Sequence, residues 1–339
     1  MVVFLSVAMP AFGIACLLTY LLSRSSGRFQ ILDHPNERSL HSVPTSRAGG
    51  LAIWAGGVAG GVVVLVSLGV RSELAWITGA ALVVGVVSFI DDRSHIPAKT
   101  RFVVHLLASG VLVAGGLGLQ SIRLPGVELD LPAGWGLLLA VLFIVWMINL
   151  YNFMDGMDGF AGGMAVFGFG TLGLLACIVG DGYFAALCWA IAAAAGGFLV
   201  RNFPPARIFM GDSGASVLGF MAAALSLWAD RMGLIPLWLS LLAFSPFVVD
   251  ATVTVLRRAL RRERFWEAHR SHYYQRLVQL GWGHRKTVLM EYGLMAGCGL
   301  TAIVLLRASH VAQWLGICAW GIIYVLLFSA VRRQESRAR

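Results

Sequence analysis

Two adjacent carboxylates, Asp91 and Asp92, follow directly on the apolar run Val87-Ser88-Phe89-Ile90. Neighbouring carboxylates repel, which raises the proton affinity of one toward the range useful for proton abstraction. An acid at membrane depth costs roughly 3 kcal/mol and marks a functional position unless a cation neutralises it. Arg93 and Arg101 are near enough in sequence to do so. Further on, Asn149, Asn152, Asp155 and Asp158 recur every third residue, so a continuing helix would line them along one face. Oxygen ligands without an accompanying base suit a hard cation such as magnesium, which keeps several waters and takes its other positions from substrate phosphates. The bland alternative is that Gly156 and Gly159 break the helix and leave the acids in a turn. Asp212 lies between Met210-Gly211 and Ser213-Gly214, where glycines allow close approach to a metal or phosphate; by itself it also fits a helix cap. Arg201 and Arg207 precede it and suit phosphate or lipid headgroups equally. His269, Arg270, His272 and Arg276 fall within eight residues, a spacing able to clamp a diphosphate. No Cys or Glu-x-x-His pattern accompanies them, which argues against zinc.

The elements that must hold these residues are membrane spans. The chain has 339 residues, 58% hydrophobic and only 13% charged, with a mean hydropathy of +0.78. Soluble domains are about one-quarter charged, so a soluble fold is excluded. Apolar runs near 2–23, 48–70, 73–90, 102–118, 134–150, 159–179, 181–200, 213–229, 233–256, 287–306 and 310–331 predict an all-α polytopic membrane protein of about eleven transmembrane helices. The first run lacks a basic leader and a small-residue cleavage site, and is expected to be a span. The alternate loops differ sharply in Lys and Arg. One side carries Arg24 to Arg47, Arg93 to Arg101, Arg201, Arg207, Arg257 to Lys286 and the C-terminal tail, whereas the other has only Arg71, Arg123, Arg231 and Arg307. The positive-inside rule then puts the N-terminus outside and the C-terminus in the cytoplasm. Basic loops beside anionic headgroups also account for the net charge of +9. The five cysteines all fall in apolar runs without ligand spacing and are expected to be core residues. Gly56, Gly57, Gly60 and Gly61 have the spacing of close helix packing. Without a repeat or linker, residues 1–339 form a single integral-membrane domain. Its polar segments, 33–50, 91–101, 149–159, 201–214 and 257–286, all fall on the basic side.

Acids, a magnesium site and phosphate-binding bases at one membrane edge specify phosphoryl transfer between a lipid phosphate and a soluble nucleotide-sugar. In all five segments and in their order, the chain resembles the polyprenyl-phosphate N-acetylhexosamine-1-phosphate transferase superfamily, whose members start peptidoglycan precursor, teichoic acid and O-antigen assembly. The resemblance runs from Asp33 to Lys286. It implies that Asp91 and Asp92 deprotonate or position the lipid phosphate, that Asn152 and Asp212 hold magnesium, and that Asp155 and Asp158 line the nucleotide site. Asp91, Asp92, Asp155 and Asp158 are thus the catalytic candidates. His41, Arg47, Lys99, Asn149, Arg207, His269, Arg270 and His272 are the candidate substrate contacts. The stretch AHRSHYYQRL departs from the triple histidine of the muramyl-pentapeptide transferases, and segment 41–50 lacks their lysine, with Arg47 standing in. Both departures point to the branch that initiates O-antigen or other surface polysaccharide.

The expected partners are undecaprenyl phosphate, membrane lipid and a UDP-N-acetyl amino sugar of the UDP-GlcNAc, UDP-FucNAc or UDP-QuiNAc type. Magnesium is the expected cofactor, with manganese able to substitute; a homodimer is allowed for, and no nucleic acid is expected. The expected location is the bacterial inner membrane with the active site facing the cytoplasm. Direct transfer and a two-step route through a phospho-aspartate need the same residues and stay open. A rival class, an anionic-solute transporter, would place charges at mid-span and break helices in paired halves. Here only Asp250 lies well inside a run.

Overall fold

The computed structural model describes residues 2–24, 31–33, 44–94, 96–264 and 269–338. Its elements are α1 (Val2–Arg24), β1 (Leu32–Asp33), β2 (Thr45–Ser46), α2 (Gly49–Leu68), α3 (Ser72–Ser94), α4 (Ala98–Ala114), β3 (Ser121–Leu124), β4 (Val127–Asp130), α5 (Ala133–Met154), α6 (Phe160–Val179), α7 (Gly182–Asn202), α8 (Gly211–Arg231), α9 (Leu237–Ala243), α10 (Ser245–Leu260), α11 (Tyr273–Leu277), α12 (Gly283–Leu305) and α13 (His310–Ala338). The two antiparallel hairpins, β1–β2 and β3–β4, are the sheet structure among the described residues. The rest is a helical bundle, as the apolar runs require of a polytopic membrane protein.

The expected eleven spans need correction in two places. Nine described helices are long and apolar enough to cross a membrane, and a bent pair raises the number to 10. The run at 102–118 becomes α4, only 17 residues long and preceded by Pro97, so it falls short by length. The run at 233–256 is not one rod: α9 and α10 meet at 86°. Pro246 sits in the first turn of α10, where its missing N–H costs nothing; inside a continuous helix it would remove a bond and clash. The bend gives Asp250 a position beside the segment that carries the histidines.

Helix α8 is the hub, packed against α2, α3, α5 and α6 and the most enclosed of the spans. Small residues let it sit there: a Cβ on Gly219 would strike the backbone of Met147 and Ile148 on α5. In lipid, close backbone packing replaces the hydrophobic drive that water supplies. The glycine pattern of α2 divides in the same spirit. Gly56 and Gly60 press on α1 and α7, while Gly57 and Gly61 meet nothing within 4 Å.

At one end of the bundle the hairpin β1–β2 is stitched to the start of α8. Phe209 N donates to Ser46 O at 2.7 Å, Gly49 N to Phe209 O at 2.9 Å, and Gly50 N to Met210 O at 2.8 Å. Gly211 closes this corner with φ +74, and a Cβ there would meet Arg47 O at 2.5 Å and Asp92 Oδ2 at 2.8 Å. Only glycine combines that backbone conformation with that proximity.

Candidate active site

The stitched corner brings Asp92 against the first turn of α8. Its carboxylate accepts Asp212 N at 2.9 Å and Ser213 N at 3.0 Å, so a buried anion satisfies amides that a helix start leaves open. Asp91 is equally engaged: Ile96 N donates to Oδ1 at 2.6 Å and Arg101 Nη1 to Oδ2 at 2.6 Å. The same Arg101 nitrogen reaches Asp212 Oδ2 at 2.9 Å. Arg47 Nη2 lies 3.9 Å from Asp92 Oδ1 and 3.8 Å from Asp212 Oδ1, and its Nη1 lies 3.9 Å from Asp33 Oδ1. Burial works against the Arg47 charge, but Asp33, Asp212, Asp92 and Asp155 outweigh it and hold the guanidinium above its ordinary value.

The ladder from Asn149 to Asp158 does not continue as a helix. α5 ends at Met154, Asp155 becomes its C-cap, and Gly159 takes φ +74 before α6 begins. The four side chains therefore separate. Asn149 Nδ2 bonds back to Val145 O at 2.7 Å, and Asn152 Nδ2 reaches Ser216 Oγ at 3.4 Å, one turn beyond Asp212 on α8. Asp155 turns toward the acids: burial, then the Asp212 carboxylate, and further Asp92 and Asp33, push its carboxyl well above the usual range despite Arg47. Asp158 turns away, accepting Ala206 N at 3.0 Å and lying 3.1 Å from His284 Nδ1.

The histidine segment hangs on Asp250. Tyr273 N and Tyr274 N donate to its two oxygens at 3.0 and 3.2 Å, and His272 Nδ1 lies 3.5 Å away. Tyr274 OH then donates to Phe153 O at 3.3 Å, joining this segment to the end of α5. The rings of His269 and His272 are 4.8 Å apart. Burial and the neighbouring His272 lower the His269 pKa to about 4, so the ring is neutral near pH 7. Arg270 is half-buried, with its carbonyl taking Gln279 Nε2 at 3.1 Å. Lys99 and Arg207 are exposed at the rim, Lys99 in the first turn of α4. His41 lies outside the described residues.

Contacts thus join the described parts of all five polar segments at one end of the bundle. The density of charge is uneven within it. Asp33, Asp91, Asp92, Asp155 and Asp212 surround Arg47 and Arg101, an excess of carboxyl groups over guanidinium groups. No three His, Cys, Asp or Glu side chains among the described residues make a ready-made metal cage. Magnesium does not require one, since one or two carboxylates suffice when phosphates and water complete the shell. The oxygen donors of Asp212 and Asn152, beside the crowded Asp155, fit it. Three residues of this face went unassigned in the sequence: Arg101, noted only as a neutralising partner, His284 and Asn202. Asn202 accepts Gly159 N at 3.0 Å and donates to Ile208 O at 2.9 Å, fixing the loop that carries Asp158 to the loop before α8. No local pattern signals such a brace.

The glycosyl transferase family 4 model matches residues 74–230, the stretch from α3 through α8 that holds Asp91, Asp92, Asn152, Asp155 and Asp212. Over 314 residues the chain is 31% identical to a probable undecaprenyl-phosphate N-acetylglucosaminyl 1-phosphate transferase of Bacillus subtilis, covering 92% of this chain and 86% of that protein. The chain belongs to the polyprenyl-phosphate N-acetylhexosamine-1-phosphate transferase superfamily. Like other members of this superfamily it is a membrane phosphotransferase. Similarity extends to a decaprenyl-phosphate N-acetylglucosaminephosphotransferase of Mycolicibacterium smegmatis, 32% identical over 92% of this chain and 85% of the relative. It reaches a phospho-N-acetylmuramoyl-pentapeptide-transferase of Listeria monocytogenes at 28% identity, over 66% of this chain and 72% of the relative.

Proposed function

We propose that the protein transfers an N-acetylhexosamine 1-phosphate from a UDP-sugar to undecaprenyl phosphate, releasing UMP and starting O-antigen or another cell-envelope polysaccharide. The observation that carries this is the excess of carboxylates over guanidinium groups at one end of a membrane bundle, an arrangement suited to a divalent cation and a diphosphate together. Magnesium, or manganese in its place, would be held by Asp212 and Asn152 and would neutralise charge on the departing UMP. Arg47 and Arg101 supply guanidinium donors for phosphate oxygens.

A phosphate monoester has a second pKa of about 6, so the acceptor arrives largely as a dianion and needs no general base. Its oxygen attacks the sugar-linked phosphorus, the bond to UMP breaks, and UMP leaves with the electron pair. Asp91 and Asp92 then act by position: Asp92 orients the start of α8, and Asp91 holds Arg101. All four of their oxygens lie on or near other groups, which favours direct transfer over a phospho-aspartate. UMP release from donor in the absence of lipid would reverse that choice.

The names of the B. subtilis and mycobacterial relatives favour UDP-GlcNAc as donor. The altered histidine segment keeps UDP-FucNAc and UDP-QuiNAc in the same class. The basic flanks of the spans favour the acids at the cytoplasmic face of the inner membrane, and a homodimer is compatible with the exposed α13. Purified protein with undecaprenyl phosphate, magnesium and a panel of UDP-GlcNAc, UDP-FucNAc, UDP-QuiNAc and UDP-MurNAc-pentapeptide tests the proposal. Lipid product from an amino sugar, lost with EDTA, is expected. Product from the pentapeptide donor alone would replace this function with lipid I synthesis.

A further inference from the structure

A second concentration of arginine lies where α10, α11 and α13 meet. Tyr273 is buried, and three guanidinium groups converge on it. Arg276 lies over its ring at 4.5 Å and Arg257 at 5.6 Å, while Arg332 Nη2 donates to its hydroxyl at 3.3 Å. Among the described residues, opposing charge is scarce here. Glu335 is bound to Arg276 through Nε and Nη2, Glu263 pairs with Arg258 at 2.9 Å, and Asp250 is occupied by backbone amides. Arg276 is only 7% exposed, yet its Nη1 has no acceptor among the described residues, and neither has the buried Nε of Arg257. Buried donors on a cation are normally satisfied, so two orphans among the described residues of one cluster leave guanidinium nitrogens for a phosphate oxygen.

The surroundings say what that acceptor is attached to. Arg257 lies in the last turn of α10 and Arg332 near the end of α13, and basic residues at the ends of spans are suited to anionic headgroups. α13 is the least enclosed of the spans, and Ile322, Val325 and Leu326 are more than 60% exposed on it. It rests on the body partly through Phe328, which stacks on Tyr273 at 3.8 Å. We propose that Arg257, Arg276 and Arg332 form a site for the phosphate of an anionic membrane phospholipid, whose acyl chains lie along α13. Guanidinium groups read phosphate oxygens in pairs, and basic pockets between spans are a recurrent way of holding such headgroups. The bound lipid would tie α13 to the segment that Asp250 anchors. The site does not depend on the transfer reaction.

The test uses full-length protein in phosphatidylcholine nanodiscs with increasing phosphatidylglycerol, reading retained lipid by native mass spectrometry and the thermal midpoint. The wild type is expected to retain one phosphatidylglycerol and to gain stability from it. Arg332→Gln, exposed and peripheral, should cut retention about tenfold, as should Arg257→Gln, while Arg332→Lys keeps part of it. Arg93→Gln, at the end of α3, should behave as wild type. An equal response in Arg332→Gln and wild type would reduce the effect to bulk surface charge and overturn the site. Equal stabilisation by inorganic phosphate, or displacement of the lipid by equimolar decaprenyl phosphate, would overturn the phospholipid assignment.

Discussion

Helix α8 carries an aspartate near each end, and the two have opposite surroundings. Asp230, in the last turn, meets one guanidinium, Arg123 at 2.9 Å, and one amide, Leu237 N at 2.9 Å. The same economy holds nearby, where Asp181 takes Arg71 in a forked pair and caps α7 through Phe184 N. Asp212, in the first turn, shares two arginines with four other carboxylates. One end is balanced charge for charge, as a fold needs when it buries ions. The other holds more carboxyl groups than guanidinium groups, and that surplus is what the proposed cation would use. The distribution of acids therefore separates structural from chemical positions better than burial does, since both sets are largely buried.

The largest break in this comparison comes from Asp212→Asn. It should lower turnover about a thousandfold with the fold intact, the scale expected when charge aimed at a transition state is removed. UMP release, with the thermal midpoint as control, measures it. Arg101→Gln should come next, lowering turnover about a hundredfold and also the midpoint, because Asp91 and Asp212 lose their shared partner. At the balanced end, Arg123→Gln should lower only the midpoint and leave turnover unchanged; a matching loss of turnover would erase the distinction between the ends. Titration sharpens it further. With its carboxyl held well above the usual range, Asp155 keeps its proton at low pH and competes with a cation, so the half-saturating magnesium concentration should fall as pH rises, and Asp155→Asn should flatten that slope. The smallest effect belongs to His269. Its folded pKa of about 4 lies below the ordinary 6.5, so the unfolded chain takes up the proton first. Its contribution to stability is full above pH 6.5 and is lost as pH falls toward 4, and His269→Gln should make the acid-side decline of the midpoint slightly shallower.

The bundle was legible because a span is written locally, in twenty apolar residues and a basic flank. Where the reading failed, a single residue changed the geometry. Pro246 bent one run, and the turn at Gly159 dispersed the ladder that threefold spacing suggested for Asn149, Asn152, Asp155 and Asp158. The acids themselves stood out because carboxylates beside apolar runs are costly. Their partners did not. Arg101 lies 111 positions from Asp212, and Asn202 lies 43 from Gly159, so these contacts exist only once α8 is seated among α3, α5 and α6. The use of Asp92 as a cap for α8 was hidden for the same reason, since the amides it serves are 120 residues away.

Manganese binding followed by electron paramagnetic resonance, with donor present, tests the central claim most directly. The surplus charge at Asp212 predicts one ion bound per chain in the wild type, loss of that ion in Asp212→Asn, and retention in Asp230→Asn. Binding that survives Asp212→Asn, or disappears in Asp230→Asn, would contradict the division of α8 into a chemical and a structural end.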